Sequence, residues 1–302
     1  MNDVKVTVVC LCHNHEAWVR DALEGFLRQD MPWPVEVLVH DDASTDGTGA
    51  VIDEYASRYP DFIFPFHAPG NLVSKGVEIA RDVLMPYVRG EYVALCEGDD
   101  YWTDPSKLRR QVEALDARPE CDICAHAALR KRPGGSTWHD APRRSDCIIP
   151  AGDVILGGGG FVATSSLLVR GDRYREVPPF REVLFNDYSL QIWGSMRGGM
   201  AYLASFMSVY RQGLPGSWTS AHRGKAHMAY RVRIRAMLRA LAEYAPGRFD
   251  DVIARRISLY DSDDLAAGGH FLRMLGPGQL SVTREQIRRN WRKLLAELRY
   301  RL

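Results

Sequence analysis

Short apolar runs alternate with stretches of helical periodicity through the first hundred residues. Four runs are rich in β-prone residues and predict strands: Val4–Cys12, Val35–His40, Phe62–His67 and Glu91–Cys96. Apolar residues recur at helical spacing in the intervals between them, around Leu23 and Phe26, through Val51, Ile52 and Tyr55, and from about Gly76 to Met85. This strand and helix rhythm predicts an α/β fold with a mixed, mostly parallel sheet and right-handed crossovers.

The pattern continues less regularly to residue 222. Asp104-Pro105 precedes a helix that ends near Ala117, and Asn186-Asp187 opens another helix, in which Asp187 is also a plausible N-cap acid. Three further runs are strand-like: Asp122–Ala127, Ala163–Val169 and Met200–Tyr210. Residues 130–150, rich in Arg, Pro, Gly and Ser, are expected to form a long loop. Gly157–Gly160 allows close backbone approach or serves as a flexible linker.

Acidic residues follow two of the predicted strands. Asp41 and Asp42 come directly after the second strand, and Glu97, Asp99 and Asp100 follow the fourth. The carboxyl ends of parallel strands share one rim of a sheet, so both acidic turns can face a single cleft. Carboxylates crowded in this way repel one another unless a cation binds, and Mg²⁺ commonly binds one or two carboxylates together with substrate phosphates. A solvated acidic turn is the alternative.

Composition and charge place these elements in an ordinary globular protein with a basic end. The chain has 302 residues, of which 46% are hydrophobic, and this favours one large domain with an appendage. Residues 223–302 contain 17 Lys and Arg against 8 Asp and Glu, whereas residues 1–222 contain 22 against 30. The charge reversal marks 223–302 as a distinct segment.

The cysteines and the N-terminus favour a cytoplasmic protein. Most of the six cysteines lie in apolar runs, which is typical of reduced thiols. Cys121-x-x-Cys124 lacks the second ligand pair that a structural zinc site needs. No secretory signal pattern begins the chain, and no apolar stretch reaches the roughly 20 residues that span a bilayer.

Several nucleotide-binding and hydrolase motifs are absent. Gly47-Thr48-Gly49 precedes a helix, but Ile52 replaces the third glycine of a dinucleotide fingerprint and nearby aspartates would repel a pyrophosphate. The chain contains neither a Walker-type phosphate loop nor a Gly-x-Ser-x-Gly elbow. NAD-dependent redox chemistry, P-loop hydrolysis and serine hydrolysis are therefore disfavoured.

Five short motifs occur together in one order: His13-Asn14; Asp41-Asp42-x-Ser44-x-Asp46-Gly47-Thr48; Glu97-Gly98-Asp99-Asp100-Tyr101-Trp102 with Asp104-Pro105 and Lys107-Leu108; Asn186-Asp187; and Val209-Tyr210-Arg211. In this order and spacing the chain resembles the family 2 inverting glycosyltransferases of GT-A fold, over roughly residues 4–222. The resemblance implies a GT-A, Rossmann-like domain over 1–222, and residues 223–302 lie outside it as a basic helical extension.

The resemblance also implies a role for each matching residue. Leu11, His13, Asn14, Asp42 and Asp41 would form the pocket for the donor base, with Glu97 and Gly98 near the donor nucleotide. Asp99 would bind Mn²⁺ or Mg²⁺, while Glu97, one methylene longer than the usual aspartate, stands nearer the ribose. Asp187 would be the general base. Arg211 and His222 would contact the diphosphate.

The basic extension contains two helical patterns, Lys225–Tyr244 and Thr283–Arg301, and the second carries an apolar stripe flanked by arginines. Such helices pack on the domain, pair with a second copy of the chain or lie on an anionic membrane surface. No nucleic-acid-binding module is recognisable.

The sequence thus predicts a metal-dependent, inverting glycosyltransferase. Its partners would be a UDP- or dTDP-sugar donor and an acceptor hydroxyl on a glycan, lipid-linked molecule, peptide or natural product. Peripheral membrane contact or a homodimer would involve the extension. A non-catalytic nucleotide-sugar or glycan-binding domain is the alternative. A nucleotidyltransferase fits less well, because the basic glycine-rich loop for a triphosphate is missing.

Overall fold

One ten-stranded sheet organises the protein, for which the computed structural model describes the backbone of residues 4–214 and 225–267 and the side chains of 4–214 and 228–261. Its strands are β1 (Val6–Cys12), β2 (Val35–Asp41), β3 (Ile63–His67), β4 (Tyr92–Leu95), β5 (Tyr101–Trp102), β6 (Ile123–Lys131), β7 (Thr137–Asp140), β8 (Cys147–Ile149), β9 (Leu168–Arg170) and β10 (Met200–Arg211).

The strand order is β3-β2-β1-β4-β9-β6-β10-β5, with β7 beside β6 and β8 beside β10. Strands β1, β2, β3, β4, β6 and β10 run in one direction, and the other four described strands run against them. The predicted α/β fold with a mixed, mostly parallel sheet is confirmed. The carboxyl ends of β1, β2 and β4 meet at one rim, since these three strands are parallel neighbours.

Seven α-helices connect the strands of the described domain. They are α1 (Val19–Leu27), α2 (Thr48–Arg58), α3 (Lys107–Asp116), α4 (Ala151–Gly157), α5 (Gly171–Arg175), α6 (Pro179–Val183) and α7 (Asp187–Ser195). Two longer helices follow, and we call Lys225–Tyr244 the first extension helix and Asp250–Ala267 the second extension helix. Helical bounds at α1, α2, α3, α7 and Lys225–Tyr244 agree with the sequence pattern to within a few residues.

The structure corrects the sequence interpretation in three segments. The helix expected from about Gly76 to Met85 is a π-helical turn, Ala80–Leu84, followed by a 3-10 turn. Gly76 has a φ of 80°, so the chain bends there, and Pro86 lacks the N–H that an α-helix would use. Residues 130–150 include β7 and β8, which were missed because both lie largely at the surface and lack an apolar alternation. In the third segment, Ala163–Val169, the strand proper is only Leu168–Arg170.

The hydrophobic core lies on both faces of the sheet. On one face, helices α1, α2 and α3 contribute residues such as Phe26 and Leu108 to the same buried cluster as the apolar residues of β1 and β2. On the other face, the first extension helix contributes Ile234, Met237 and Leu238 to the same buried cluster as Trp193 of α7. The described extension is therefore packed on the face of the sheet that carries α7, by ordinary apolar burial.

The basic pattern at Thr283–Arg301 lies outside the described residues. Among the helices that the structure describes, none is long and apolar enough to cross a bilayer. Membrane contact and dimerisation through the extension stay predictions.

We expect the buried side of the first extension helix to stabilise the whole domain. Met237→Ala should lower the free energy of unfolding by about 2–5 kcal/mol, because it opens a cavity at a fully buried position. The matched change Met228→Ala, at a residue that is 42% exposed on the same helix, should stay within about 0.5 kcal/mol. Urea unfolding followed by circular dichroism measures both. Equal effects of the two variants would contradict this packing.

Candidate active site

The acidic turn after β4 lies against the end of β1. Gly98 donates its backbone N–H to the carbonyl oxygen of Leu11 over 2.9 Å. A Cβ at position 98 would collide with the Cys12 sulfur, so only glycine lets the two segments approach this closely. Leu11 was predicted from the sequence to belong to the donor site. Its backbone carbonyl oxygen holds the acidic turn against the end of β1.

Asp99 is a buried carboxylate with few partners. Only 7% of the residue is exposed, and burial raises its pKa. His15 Nε2 lies 4.0 Å from Asp99 Oδ2, while Arg211 donates to the backbone carbonyl of Asp99 over 2.9 Å and leaves the carboxylate uncovered. A buried carboxylate without a close ion-pair partner favours the binding of a cation, and such a cation can enter together with the ligand.

Arg211 supports the turn from β10. Its backbone N–H donates to Asp100 Oδ1 over 2.8 Å, its guanidinium forms an ion pair with Asp21, and its planar group lies 4.3 Å from the centre of the Tyr101 ring. A contact from Arg211 to a diphosphate stays a prediction. His222, predicted for the same role, lies outside the described residues.

Burial and the charges of neighbouring acids also raise the pKa values of Glu97 and Asp100. Burial, together with the charges of Asp99 and Asp187, raises the pKa of Glu97 to about 8. Asp100 is fully buried, and burial with the neighbouring Asp99 and Glu97 charges raises its pKa well above the ordinary value. Asp100 Oδ2 has no hydrogen-bond partner among the described residues.

The carboxylate of Asp42, at the end of β2, holds a loop in place. Asp42 Oδ1 accepts from the backbone N–H of Leu72 over 2.7 Å, and Oδ2 accepts from that of Val73 over 3.1 Å. His13 Nδ1 donates to the Asp42 carbonyl oxygen over 2.8 Å. Each carboxylate oxygen retains a second lone pair. The predicted donor-pocket residues His13 and Asp42 are thus direct neighbours.

Asp41 and Asn14 fasten the two loops that follow β1 and β2. Asp41 Oδ1 accepts from both the backbone N–H and the hydroxyl of Ser44, and Ser44 Oγ accepts from the backbone N–H of Asn14. Asn14 Oδ1 also accepts from the backbone N–H of Thr45 over 2.8 Å. Asn14 and Ala43 both have positive φ angles, 56° and 54°, so the loops carry backbone strain where they meet.

Asp187 begins α7 and faces the acidic turn. The Asn186 side chain caps the helix, so Asp187 is the first helical residue, and Asp187 Oδ1 accepts from the Tyr188 N–H over 2.7 Å. Thr164 donates its hydroxyl to Asp187 Oδ2 over 2.9 Å. Burial raises the pKa of Asp187, although these two hydrogen bonds oppose the shift. The charge of Asp187 contributes to the raised pKa of Glu97, so the two carboxyl groups influence each other electrostatically.

The donor set fits a divalent cation that is shared with a phosphate ligand. No group of three or more His, Cys, Asp or Glu side chains in the described part of the chain could hold a metal by itself. Asp99 offers a buried carboxylate without a strong cationic partner, and its charge contributes to the raised pKa of the neighbouring Glu97. Mg²⁺ and Mn²⁺ in such sites obtain their remaining ligands from phosphate oxygens and water.

Three side chains near the site were not singled out from the sequence. His15 neighbours Asp99, Thr164 holds Asp187, and Tyr230 accepts from Asn186 Nδ2 over 2.6 Å. His15 has a sequence signal, since it directly follows His13-Asn14 in the turn after the first strand. Thr164 and Tyr230 have none, because tertiary packing alone brings them to α7.

Curated relatives share substantial sequence similarity with this chain. An uncharacterised protein of Mycobacterium tuberculosis (strain ATCC 25618 / H37Rv) is 37% identical over 224 residues, which cover 72% of this chain and 61% of that protein. This chain thus spans less than two thirds of the length of the relative.

Solved structures share the fold at low sequence identity. Staphylococcus aureus TarS 1–349 in complex with UDP-GlcNAc gives a TM-score of 0.65 at 14% identity, covering 98% of this chain and 80% of that one. A mannosyltransferase from Pyrobaculum calidifontis in complex with GDP-Man and Mn²⁺ gives 0.53 at 18% identity, covering 97% and 84%. These similarities establish the GT-A fold.

The family described as "Glycosyl transferase family 2" matches residues 7–170. This range is more than half of the chain, and it contains β1, β2, β4 and the acidic turn that they position. Family, fold and site geometry agree: the chain belongs to glycosyl transferase family 2.

Proposed function

We propose that this chain transfers a sugar, with inversion, from a UDP- or dTDP-sugar to an acceptor hydroxyl, using a divalent cation and Asp187 as general base. The observation that carries the proposal is the acidic turn held against the end of β1 by the hydrogen bond from Gly98 to Leu11, where burial and the charges of Asp99 and Asp187 raise the pKa of Glu97 to about 8. Asp99 serves the leaving diphosphate and Asp187 serves the nucleophile.

The rim of β1 and β2 supplies the donor pocket in this proposal. Asp42 is held by the Leu72 and Val73 backbone, and its remaining lone pairs can accept from a pyrimidine ring N–H. His13, Asn14 and Asp41 keep the surrounding loops in place. TarS, which shares the fold, binds UDP-GlcNAc, and this supports a uridine donor.

Asp99 would hold Mn²⁺ or Mg²⁺ together with diphosphate oxygens, with Glu97 nearer the ribose. A bound cation supplies Lewis-acid stabilisation of the negative charge on the leaving group, worth several kcal/mol. The Pyrobaculum mannosyltransferase of the same fold contains Mn²⁺. Arg211 keeps the Asp99 backbone in place through its hydrogen bond to the carbonyl.

Asp187 would remove the acceptor proton. As the acceptor oxygen forms its bond to the anomeric carbon, the carbon–diphosphate bond breaks and the hydroxyl proton passes to an Asp187 carboxylate oxygen. Thr164 and the Tyr188 N–H orient this carboxylate. A single displacement, with the base and the leaving group on opposite sides of the sugar, inverts the anomeric centre.

Asp187→Asn should lower kcat by about 10²–10⁴-fold, because the amide cannot accept the proton. Affinity for the nucleoside diphosphate should be unchanged. The matched control is Asp172→Asn, since Asp172 also accepts from the N–H of the following residue in the first turn of a helix, α5, but is exposed. Release of nucleoside diphosphate in the presence of acceptor measures kcat.

Full activity of Asp187→Asn would disprove the base assignment. If wild type binds nucleotide sugars but transfers none in the presence of a panel of acceptors, the non-catalytic alternative would replace this proposal.

Asp99→Asn should abolish cation-dependent nucleotide binding. With wild type, UDP and Mn²⁺ at about 100 times Kd should add about 2.7 kcal/mol of stability. EDTA should remove most of this increase in stability. The Asp99→Asn variant should show no increase, and the Asp172→Asn variant should show the same increase as wild type. Thermal unfolding monitored by fluorescence measures the shift. An equal gain with EDTA would exclude a role for the metal in binding.

The acid limb of kcat/KM should lie above the ordinary aspartate range, because burial raises the pKa of Asp187 and the base acts only when deprotonated. Thr164→Val removes a hydrogen bond that favours the charged form, so it should raise this pKa further and move the limb to higher pH. Thr137→Val, at an exposed residue of β7, is the control. A shift of the limb to lower pH in Thr164→Val would contradict the assignment.

A further inference from the structure

The first extension helix contacts the start of α7 through one side chain of defined chemistry. Tyr230 accepts a hydrogen bond from Asn186 Nδ2 over 2.6 Å. Tyr230 lies beyond the residues 7–170 that match the family and beyond the motifs that carry the sequence resemblance. Its contact is therefore a property of this chain's own extension.

Asn186 is the residue that determines where α7 begins. Its side-chain oxygen accepts from the Ser189 N–H over 2.9 Å, and the Ser189 hydroxyl accepts from the Asn186 N–H over 3.2 Å, which completes a capping box. With its oxygen used by the cap, the amide group of Asn186 offers its NH₂ to Tyr230. The phenol thus fixes the orientation of the capping amide.

Asp187 follows the cap directly and depends on its geometry. The carboxylate is oriented by the Tyr188 N–H on one oxygen and by Thr164 on the other, so a rotation of the first turn would break one of these bonds. Tyr188 is itself fixed, because its hydroxyl donates to the carbonyl oxygen of Ile155 in α4. The position of the Asp187 carboxylate therefore depends on the Asn186 cap that precedes it and on the Tyr188 side chain that follows it.

The extension is rigidly joined to this region by further contacts. Ile234, Met237 and Leu238 of the first extension helix are buried with α7 residues, and Arg233 forms an ion pair with Glu78. From the second extension helix, Arg256 donates to the Leu156 carbonyl oxygen over 3.2 Å, one residue after the acceptor of Tyr188. Both helices thus brace the elements around Asp187.

We propose that Tyr230 is a positioning residue for sugar transfer: its hydroxyl holds the Asn186 cap, and the cap fixes the Asp187 carboxylate toward the acceptor hydroxyl. This inference rests on the proposed function. The extension then contributes to the chemical step, in addition to stabilising the fold, although Tyr230 itself touches neither donor nor acceptor in this role.

The test is Tyr230→Phe, which keeps the ring and removes only the hydroxyl. We expect kcat to fall roughly 10-fold to 100-fold, since small misplacements of a catalytic group have costs of this order. The KM for the donor and the Kd for UDP with Mn²⁺ should stay within about twofold, because the donor half is built on β1, β2 and β4. The matched control is Tyr244→Phe on the same helix, whose ring packs 6.0 Å from Trp193 and 5.7 Å from Phe180.

Amide hydrogen exchange gives a second readout that needs no turnover. In Tyr230→Phe, exchange should accelerate at the N–H groups of Tyr188 and Ser189 in the first turn of α7 and stay at the wild-type rate at Gly98 and Asp100. Tyr244→Phe should leave all four unchanged. Unchanged exchange and unchanged kcat in Tyr230→Phe would overturn the inference.

The two proposals fail in distinguishable ways. If wild type transfers sugar and Asp187→Asn does not, but Tyr230→Phe has wild-type kcat, the proposed function stands and the positioning role is wrong. If wild type consumes no nucleotide sugar, the proposed function fails. A kcat loss with a parallel rise in donor KM would also overturn the inference, since it would show a general disturbance of the site.

Discussion

Electrostatic crowding at one rim of the sheet is the constraint on which this site depends. Glu97, Asp99 and Asp100 lie within four residues, largely removed from water, and Asp187 approaches from another helix. Burial raises the pKa of each of these four carboxyl groups, and the charges of neighbouring acids add to the shift at Glu97 and Asp100, so the ionised forms are unfavourable without a cation. In the proposed reaction a divalent cation that binds together with the diphosphate would offset this repulsion, and the stability of the site would then depend on its ligand.

Hydrogen bonds to and from the backbone hold the crowded acidic residues in place. Arg211 donates its N–H to Asp100 and its guanidinium to the Asp99 carbonyl, and Gly98 donates to Leu11. These bonds fix the turn, but none of them is made to the Asp99 carboxylate. The same principle holds at β2, where Asp42 is oriented by two backbone N–H groups. Preorganised groups of this kind favour binding because little ordering remains to be done when the ligand arrives.

The extension changes how the boundary of the catalytic unit is understood. The sequence motifs end near residue 222. Beyond them, Met237 and Leu238 are buried in the cluster that contains Trp193, and Tyr230 accepts a hydrogen bond from Asn186, which caps α7. A segment with no catalytic motif of its own thus contacts the residue that precedes the proposed general base. The basic charge of residues 223–302 is a separate property, and several of its arginines are used internally, as in the ion pairs of Arg233 with Glu78 and Arg235 with Asp261.

By itself, the sequence determined the fold class, the family resemblance and the two acidic strand ends, because apolar periodicity and local turn chemistry are encoded within a few residues of one another. The family resemblance also nominated Asp42, Asp99 and Asp187, whose roles stay predictions. Only the tertiary structure decided that Thr164 bonds Asp187 and Tyr230 bonds the Asn186 cap, that Arg211 supports the Asp99 backbone, and that residues 130–150 add two strands to the sheet. These features join segments many residues apart, or depend on pairing at a sheet edge, and no local pattern in the chain records such contacts.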